Sequence, residues 1–342
     1  MTNATKTLAV VFAGTLVLAL ATTWSGGGAA STAAFQGELF AVDTSQVQAI
    51  RIERTDAPSI RLERADGTWS VAPTDTAATY PASTQAVQRL LRRLPSLEVG
   101  AVATRQPDKH PQYGVDSTGT KVTMLGADGQ TLGQLIVGRT QMQRPSSGGQ
   151  GQSPMQRMRR RRGMTPVTYV RTPDKPDVYS VEQSLNSLVE RGLEAWRNKT
   201  IWTLDRSNIQ RVKFSYPADS SFTMQRVVQK DTTAGSAETA GTWVSAGDTL
   251  DTSEVSSLLR ELSSPEADGF AENTSPSAAG DTLYTVQLRL SDGTRRALRF
   301  HPADADNRYR ATADGYPYVA QLRASNWDNS VLQGRSAFLK GE

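Results

Sequence analysis

Length, composition and charge already exclude several classes of protein. The chain has 342 residues, 37% of them hydrophobic, which is enough for roughly two folded domains. With no cysteine and 2 histidines, disulfides, thiolate metal sites, iron–sulfur clusters and cysteine nucleophiles are excluded, and a multi-histidine metal centre has little support. The formal net charge of +4 is mildly basic, and its source is a single segment of the chain.

The N-terminus predicts a membrane span. Residues Leu8–Ala21 carry no charge, and with the residues through Trp24 they would form a helix of about 25 Å, enough for a thin hydrocarbon core. We therefore predict a signal-anchor over 1–25 and a flexible tether of small residues over 26–37. The predicted span residues are Leu8, Val11, Phe12, Leu16, Leu18, Leu20 and Trp24.

A cleaved signal peptide is the alternative interpretation of this segment. Ala19-Leu20-Ala21 has the A-x-A form of a cleavage site, although it lies inside the apolar run. In both cases the body of the chain is exported, and the anchor would make it a single-pass inner-membrane protein facing the periplasm.

The remaining chain contains two copies of one pattern. In the first copy, strand-like alternation at 47–54 and 59–64 is followed by an Asp66-Gly67 turn and a third strand at 68–72. A helix follows in each copy, and its apolar stripe recurs 168 residues later. The stripe residues are Val87, Leu90, Leu91 and Leu94, and then Val255, Leu258, Leu259 and Leu262.

Each copy continues with hairpins after its helix. Turns at Asp128-Gly129 and Asp292-Gly293 join strand pairs, and the strands of Val167–Val181 match those of Asn307–Leu322. Hairpins grouped around one helix predict the α+β class. The expected architecture is two tandem copies of an antiparallel hairpin–helix–hairpin unit behind one N-terminal transmembrane helix.

The boundaries of the two copies follow from this pattern. We expect the first repeat over 38–205 and the second over 206–342. A helix is predicted over Val181–Asn198, where it closes the first copy. Asp251 and Glu254 have the spacing of a capping box at the start of the second helix.

Several short motifs occur in one order along the chain. They include GTWSV, the LLRRL helix, PQYGVD at 111–116, TYVR, DVYSV and AWRNKTIWTLD at 195–205. This succession resembles the domain of unknown function 4340 family over most of residues 38–325. The resemblance implies an exported, membrane-anchored protein, and some relatives accompany auxiliary components of gliding-motility-type ABC transporters. It implies no reaction, because the motifs are structural.

The basic charge is concentrated in Arg139–Met164, which we call the basic segment. It carries seven arginines and no acidic residue, so the rest of the chain is net acidic. Ser, Gly, Gln and Pro dominate its remainder, which predicts a disordered insertion. Contact with anionic lipid headgroups or an acidic partner is one interpretation, and a tolerated surface loop is the other. The candidate anionic-surface contacts are Arg157, Arg159, Arg160, Arg161 and Arg162.

The chain contains no recognisable catalytic constellation, and we predict no enzyme, cofactor or metal site. His110 and His301 both precede a proline at a loop edge, where a solvated or locally bonded imidazole is expected. Asp304, Asp306 and Asp314 are calcium-ligand types, but they lack the glycine and distal glutamate of a binding loop.

These observations favour a non-enzymatic, membrane-anchored periplasmic scaffold or accessory protein. The family resemblance implies that its complex is of the ABC transporter or motility type. Its expected partners are the membrane, other protein subunits and, through the basic segment, anionic lipid. Nucleic acid is not expected, because no aromatic residue is interleaved with the arginines. An envelope polysaccharide- or peptidoglycan-binding module is an alternative from another class, and a hydrolase with paired carboxylates is a further one.

Overall fold

The computed structural model describes residues 39–75, 78–143, 164–217, 220–227, 241–271 and 274–340. These residues fall into two compact units. One lies within Met1–Thr79 and Thr84–Arg191, and the other within Tyr80–Ser83 and Gly192–Glu342. The predicted signal-anchor, tether and span residues lie outside the described residues. Within those residues, every helix is too short or too polar to cross a membrane.

Eight strands of the described residues form the sheet of the first unit, and all neighbours are antiparallel. They are β1 (Ala49–Glu53), β2 (Ile60–Ala65), β3 (Thr68–Pro73), β5 (Val102–Thr104), β6 (Thr120–Leu125), β7 (Thr131–Gln143), β8 (Thr165–Arg171) and β9 (Val178–Val181). Their order is β3-β2-β1-β6-β7-β8-β9-β5. The helices of this unit are α1 (Thr84–Arg93), α2 (His110–Tyr113) and α3 (Asn186–Val189).

The second unit repeats the order of these eight strands and has one further strand, β13 (Asp248–Thr249), at the edge of its sheet. Its sheet comprises β10 (Ile209–Ser215), β11 (Phe222–Val227), β12 (Thr242–Ser245), β13 (Asp248–Thr249), β14 (Gly269–Phe270), β15 (Tyr284–Leu290), β16 (Arg295–Ala303), β17 (Arg308–Ala313) and β18 (Ala320–Arg323). The order is β13-β12-β11-β10-β15-β16-β17-β18-β14. Its helices are α4 (Thr252–Ser263) and α5 (Ala324–Ser330), and β4 (Tyr80–Pro81) belongs to this unit by its contacts. The prediction of two antiparallel α+β copies is confirmed.

The helical stripes form part of each core. In α4 all four predicted stripe residues are buried, and in the first copy Val87, Leu90 and Leu94 are buried while Leu91 is partly exposed. The repeated tryptophans also behave alike: Trp69 is buried opposite Arg64, and Trp243 packs against the second core opposite Arg226. Apolar spacing thus selects the same buried face in both copies.

Two local predictions need correction. The continuous helix over Val181–Asn198 is wrong: α3 is one turn long, and a 3₁₀ turn at Leu193–Ala195 follows separately. Gly192 separates them because it is extended, with φ −66° and ψ 165°. The capping box forms only in part. The Asp251 carboxylate accepts the N–H groups of Ser253 and Glu254, but the Asp251 N–H donates to the Phe338 carbonyl.

Candidate functional site

Strand β7 bends at Gly138, before the basic segment begins. Val137 pairs with Val170 and Thr140 with Thr168, so β7 contains one extra residue, a β-bulge. A Cβ at Gly138 would lie 2.3 Å from the Tyr113 carbonyl oxygen and 2.6 Å from Val115 Cγ1. Only glycine therefore allows β7 to pass this close to the turn after α2.

The structure brings two of the sequence motifs, PQYGVD and TYVR, together at this bend. The rings of Tyr113 and Tyr169 meet edge to face with centroids 4.6 Å apart. The Arg171 guanidinium donates through Nε and Nη2 to the Val115 carbonyl, at 3.2 and 3.1 Å. Burial lowers the pKa of Arg171, opposed by the nearby charge of Asp116, and the group stays protonated. These contacts support the bend, so the motifs act as structural elements.

Beyond the bend, the hairpin of β7 and β8 leaves the sheet. The pairing of β7 with β6 ends at Val137, and the pairing of β8 with β9 ends at Thr168. The remaining pairs, from Gln141–Val167 to Gln143–Thr165, form a two-stranded projection about 10 Å long. We call residues Gln141–Gln143 and Met164–Val167 the arm.

One face of the arm is apolar and exposed. Met142 is directly opposite Pro166, so their side chains lie on the same face. Met164 immediately precedes β8, two residues before Pro166. Met142 is 56% exposed and Met164 57%. Within the described ranges, Val227 is the only other large hydrophobic side chain in the exposed class.

Polar contacts hold the base of the arm. The hydroxyls of Thr140 and Thr168 lie 2.7 Å apart, and Asn186 bonds to Thr140 and donates to the Gly138 carbonyl at 3.1 Å. On the opposite face, Gln143 Nε2 donates to the Tyr169 hydroxyl at 2.9 Å. These bonds fix the direction in which the arm projects.

The arm includes residues from both ends of the basic segment. The candidate contacts Arg157, Arg159, Arg160, Arg161 and Arg162 lie outside the described residues, as do the predicted span residues Leu8, Val11, Phe12, Leu16, Leu18, Leu20 and Trp24. Their predicted roles therefore stay predictions. The structure shows the two strands, β7 and β8, that residues 144–163 connect.

The second unit closes the corresponding hairpin quite differently. Strand β16 also has a bulge, between His301 and Ala303, but it then ends in a short turn. Asp304 Oδ1 accepts the N–H groups of Asp306 and Arg308, both at 3.0 Å. Asn307 completes the turn with a positive φ of 57°. The arm and the residues between its strands are thus an addition to one copy of a shared pattern.

The histidines and acidic residues have structural partners. His110 Nε2 lies 2.8 Å from the Pro176 carbonyl. His301 Nδ1 lies 2.9 Å from the Gly280 carbonyl, and its Nε2 lies 3.0 Å from Thr312 Oγ1. Both imidazoles are buried, so the locally bonded alternative is correct and the solvated one is wrong. Asp314 pairs with Arg299 at 2.9 Å, and no metal-binding group of three acidic or histidine side chains occurs among the described residues.

A groove of about 520 Å³ lies at the opposite end of β7. Its walls are Leu39–Val42, Thr131–Gln134 and Thr172–Asp174. Phe40 and Val42 cross directly over Gly133, where a Cβ would lie 2.6 Å from Val42 Cγ2. The described chain therefore enters the first unit beside the start of β7.

Sequence reasoning missed an enclosed arginine in the second unit. Arg197 is 6% exposed and bonds to Glu194 at 2.8 Å. Its guanidinium carbon lies 3.5 Å from the ring centre of Phe270 and 4.0 Å from that of Tyr80, with Tyr318 at 5.1 Å. The AWRN motif contains Arg197, but its aromatic partners lie far away in sequence and give no local signal.

Comparison with known proteins yields one family. The family model described as Domain of unknown function (DUF4340) matches residues 74–147 and 163–282, which together exceed half of the chain. The interval between the two matched segments contains Arg157 and the run Arg159–Arg162. No curated protein and no solved structure was found to match the chain.

Proposed function

The chain belongs to the family of the domain of unknown function DUF4340, and from that premise we propose that it is a non-enzymatic, membrane-anchored scaffold or accessory protein. Its complex would be of the ABC transporter or motility type, with the two units on the periplasmic side. The apolar run Leu8–Ala21 supports the anchor. The association with a transporter rests on the resemblance of the motifs to that family alone.

The observation that carries the proposal is the arm with its basic insertion. It lies in the first unit, whereas the equivalent β16–β17 hairpin among the described residues of the second unit ends in a short turn, and the five candidate arginines fall in the interval that the family model leaves unmatched. The arm and its insertion lie at the end of the β7–β8 hairpin, so they do not change the strand order that the two units share. We assign the binding role to this added feature and the supporting role to the two sheets.

The chemistry of the insertion fits an anionic surface. Residues 144–163 hold six arginines and no acidic residue. Each basic residue near an anionic bilayer contributes about 1 kcal/mol of attraction at moderate ionic strength. Several such residues together would hold the first unit against acidic phospholipid.

Deletion of Gln141–Gly163 tests this contact. The full chain, with its N-terminal run held in a phosphatidylcholine nanodisc, is mixed with vesicles that contain phosphatidylglycerol and floated on a density gradient. We expect the intact chain to float with the vesicles and the deletion variant to stay behind, with unchanged circular dichroism. Replacement of Arg157 and Arg159–Arg162 by lysine is the matched control and keeps the charge. Equal flotation of the deletion variant would remove the lipid contact from the proposal.

Crosslinking in native membranes, followed by mass spectrometry, tests the accessory role. We expect subunits of a membrane transport or motility complex among the partners, and their consistent absence would contradict this role. The polysaccharide alternative gains no support, because none of the Phe, Tyr and Trp residues in the described part of the chain is in the exposed class.

A further inference from the structure

We propose that the arm is a membrane-insertion element, in which Met142, Met164 and Pro166 enter the interfacial layer of an anionic phospholipid bilayer. This inference rests on the proposed function and adds the residues and the depth of contact. The basic segment alone would give an electrostatic attraction that any polyanion could satisfy. The apolar face of the arm adds a second requirement, so the partner must bind both the positive charge of the basic segment and apolar side chains.

The geometry of the arm separates these two requirements. Met142 and Pro166 are paired across the ribbon, and the exposed Met164 immediately precedes β8 at the same end of the arm. Gln141, Gln143 and Thr165 lie on the other face. On that face Val167 is buried at the base, and Gln143 bonds to Tyr169. A two-stranded projection with one apolar and one polar face is amphipathic, and it can lie in the boundary between headgroups and acyl chains.

Exposure of the two methionines is the unusual feature. Among the other large apolar side chains of the described residues, Val227 has the highest exposure, at 39%. Methionine is unbranched and adaptable, and it is favoured on surfaces that bind irregular apolar partners. The arm is also the place where the chain leads into six arginines without an acidic residue. Apolar exposure and positive charge therefore coincide at one end of β7.

The position of the chain entry makes this contact possible on the same membrane that holds the anchor. Phe40 and Val42 cross β7 at Gly133, ten residues before Gln143. That distance along the strand is about 33 Å. The tether over 26–37 can extend by about 40 Å, so the first unit can bring the arm to the surface without losing its anchor.

A single-cysteine probe measures insertion directly. The chain has no cysteine, so Met142→Cys labelled with the environment-sensitive fluorophore NBD reports from one position only. The full chain is reconstituted through its N-terminal run into nanodiscs of phosphatidylcholine, with or without phosphatidylglycerol. We expect a blue shift and protection from aqueous quenchers only when phosphatidylglycerol is present. Val227→Cys, labelled in the same way, is the matched control and should not respond.

A second pair of variants separates this inference from the proposed function. In the vesicle flotation assay, Met142→Ser/Met164→Ser should weaken binding roughly tenfold, because two half-exposed side chains lose their insertion. Replacement of Arg157 and Arg159–Arg162 by glutamine should abolish binding. If the glutamine variant loses vesicle binding, the serine variant keeps it and the NBD probe shows no blue shift, insertion is overturned and the electrostatic contact stands. Failure of the unaltered chain to bind vesicles would overturn both and point to an acidic protein partner.

Discussion

The two units share one strand order but end their β7–β8 and β16–β17 hairpins in different ways. In the second unit, Asp304 and Asn307 close the hairpin within a few residues of the bulge. In the first unit, the two strands continue past Gly138 into the arm and the basic segment. The comparison teaches where this fold can accept new sequence. An extension beyond the last sheet pairing costs only loop entropy, which rises slowly with length.

A second difference concerns the segments that precede the main helices. Ser83 N–H donates to the Trp196 carbonyl at 2.7 Å, and Asp251 N–H donates to the Phe338 carbonyl at 2.8 Å. Trp196 and Phe338 are therefore equivalent, and both are fully buried. Arg197 follows Trp196, and Leu339 follows Phe338. The same backbone position therefore holds a buried cation in one copy and an aliphatic side chain in the other.

Removal of that cation should have the largest effect on stability. Arg197→Ala leaves Glu194 without its partner and opens a space among Tyr80, Phe270 and Tyr318. Arg197 is enclosed although the Glu194 side chain is 39% exposed, and loss of this guanidinium together with its ring contacts should cost about 3 kcal/mol. We expect the free energy of unfolding of the second unit to fall by that amount in a urea titration.

Two further variants sharpen this prediction. Arg299→Ala removes a more exposed pair with Asp314 and should cost less than about 1 kcal/mol. Arg197→Leu copies the residue at 339 and should retain part of the apolar contact, which places it between the other two. A loss for Arg197→Ala no larger than that for Arg299→Ala would show that the enclosed guanidinium is not a stabilising element.

The bend in β7 offers the next largest effect. A methyl group at Gly138 must displace the backbone of Tyr113 or the side chain of Val115, and such overpacking costs about 2 kcal/mol. Gly138→Ala should therefore lower the thermal midpoint of the first unit. The matched control is Gly192→Ala, because Gly192 has an ordinary φ of −66° and open space around its Cβ position. Its expected change is within about 0.5 kcal/mol, and equal changes in both variants would refute the steric argument.

Much of the fold is predictable because its signals are local. The stripe beginning at Val87 recurs at Val255 with identical spacing, and both stripes are largely buried. The Asp66-Gly67 turn is also local, and both residues have the positive φ that a tight hairpin turn requires. Period and turn chemistry are properties of short windows, so the sequence alone reveals them.

The remaining features depend on contacts between distant residues. Apolar spacing over Val181–Asn198 predicts a helix, but the extended Gly192 divides it. The environment of Arg197 needs Tyr80 and Phe270, which are more than seventy residues away on either side. The apolar face of the arm depends on the register of Met142 with Pro166, which the bulge shifts by one residue. None of these relations is visible in a single window.

The smallest effect concerns the start of the main helix, where the two copies have different residues. Asp251 caps α4, whereas the residue 168 positions earlier, directly before α1, is Ser83. A bond from the Ser253 hydroxyl, followed by the backbone N–H groups of Glu254 and Ser253, lowers the pKa of the Asp251 carboxyl. A lowered folded-state pKa means that the carboxylate stabilises the second unit above its unfolded pKa. This contribution disappears as the pH falls through the folded value.

Asp251→Ser isolates this contribution, because serine keeps a capping oxygen and removes the titrating charge. At about pH 7 the thermal midpoint of the variant should lie slightly below that of the unaltered chain. The two midpoints should converge as the pH approaches about 2. Asp251→Ala also removes the capping acceptor and should remain less stable across the whole range. A difference between the serine variant and the unaltered chain that persists at the acidic limit would mean that Asp251 acts through its hydrogen bonds alone.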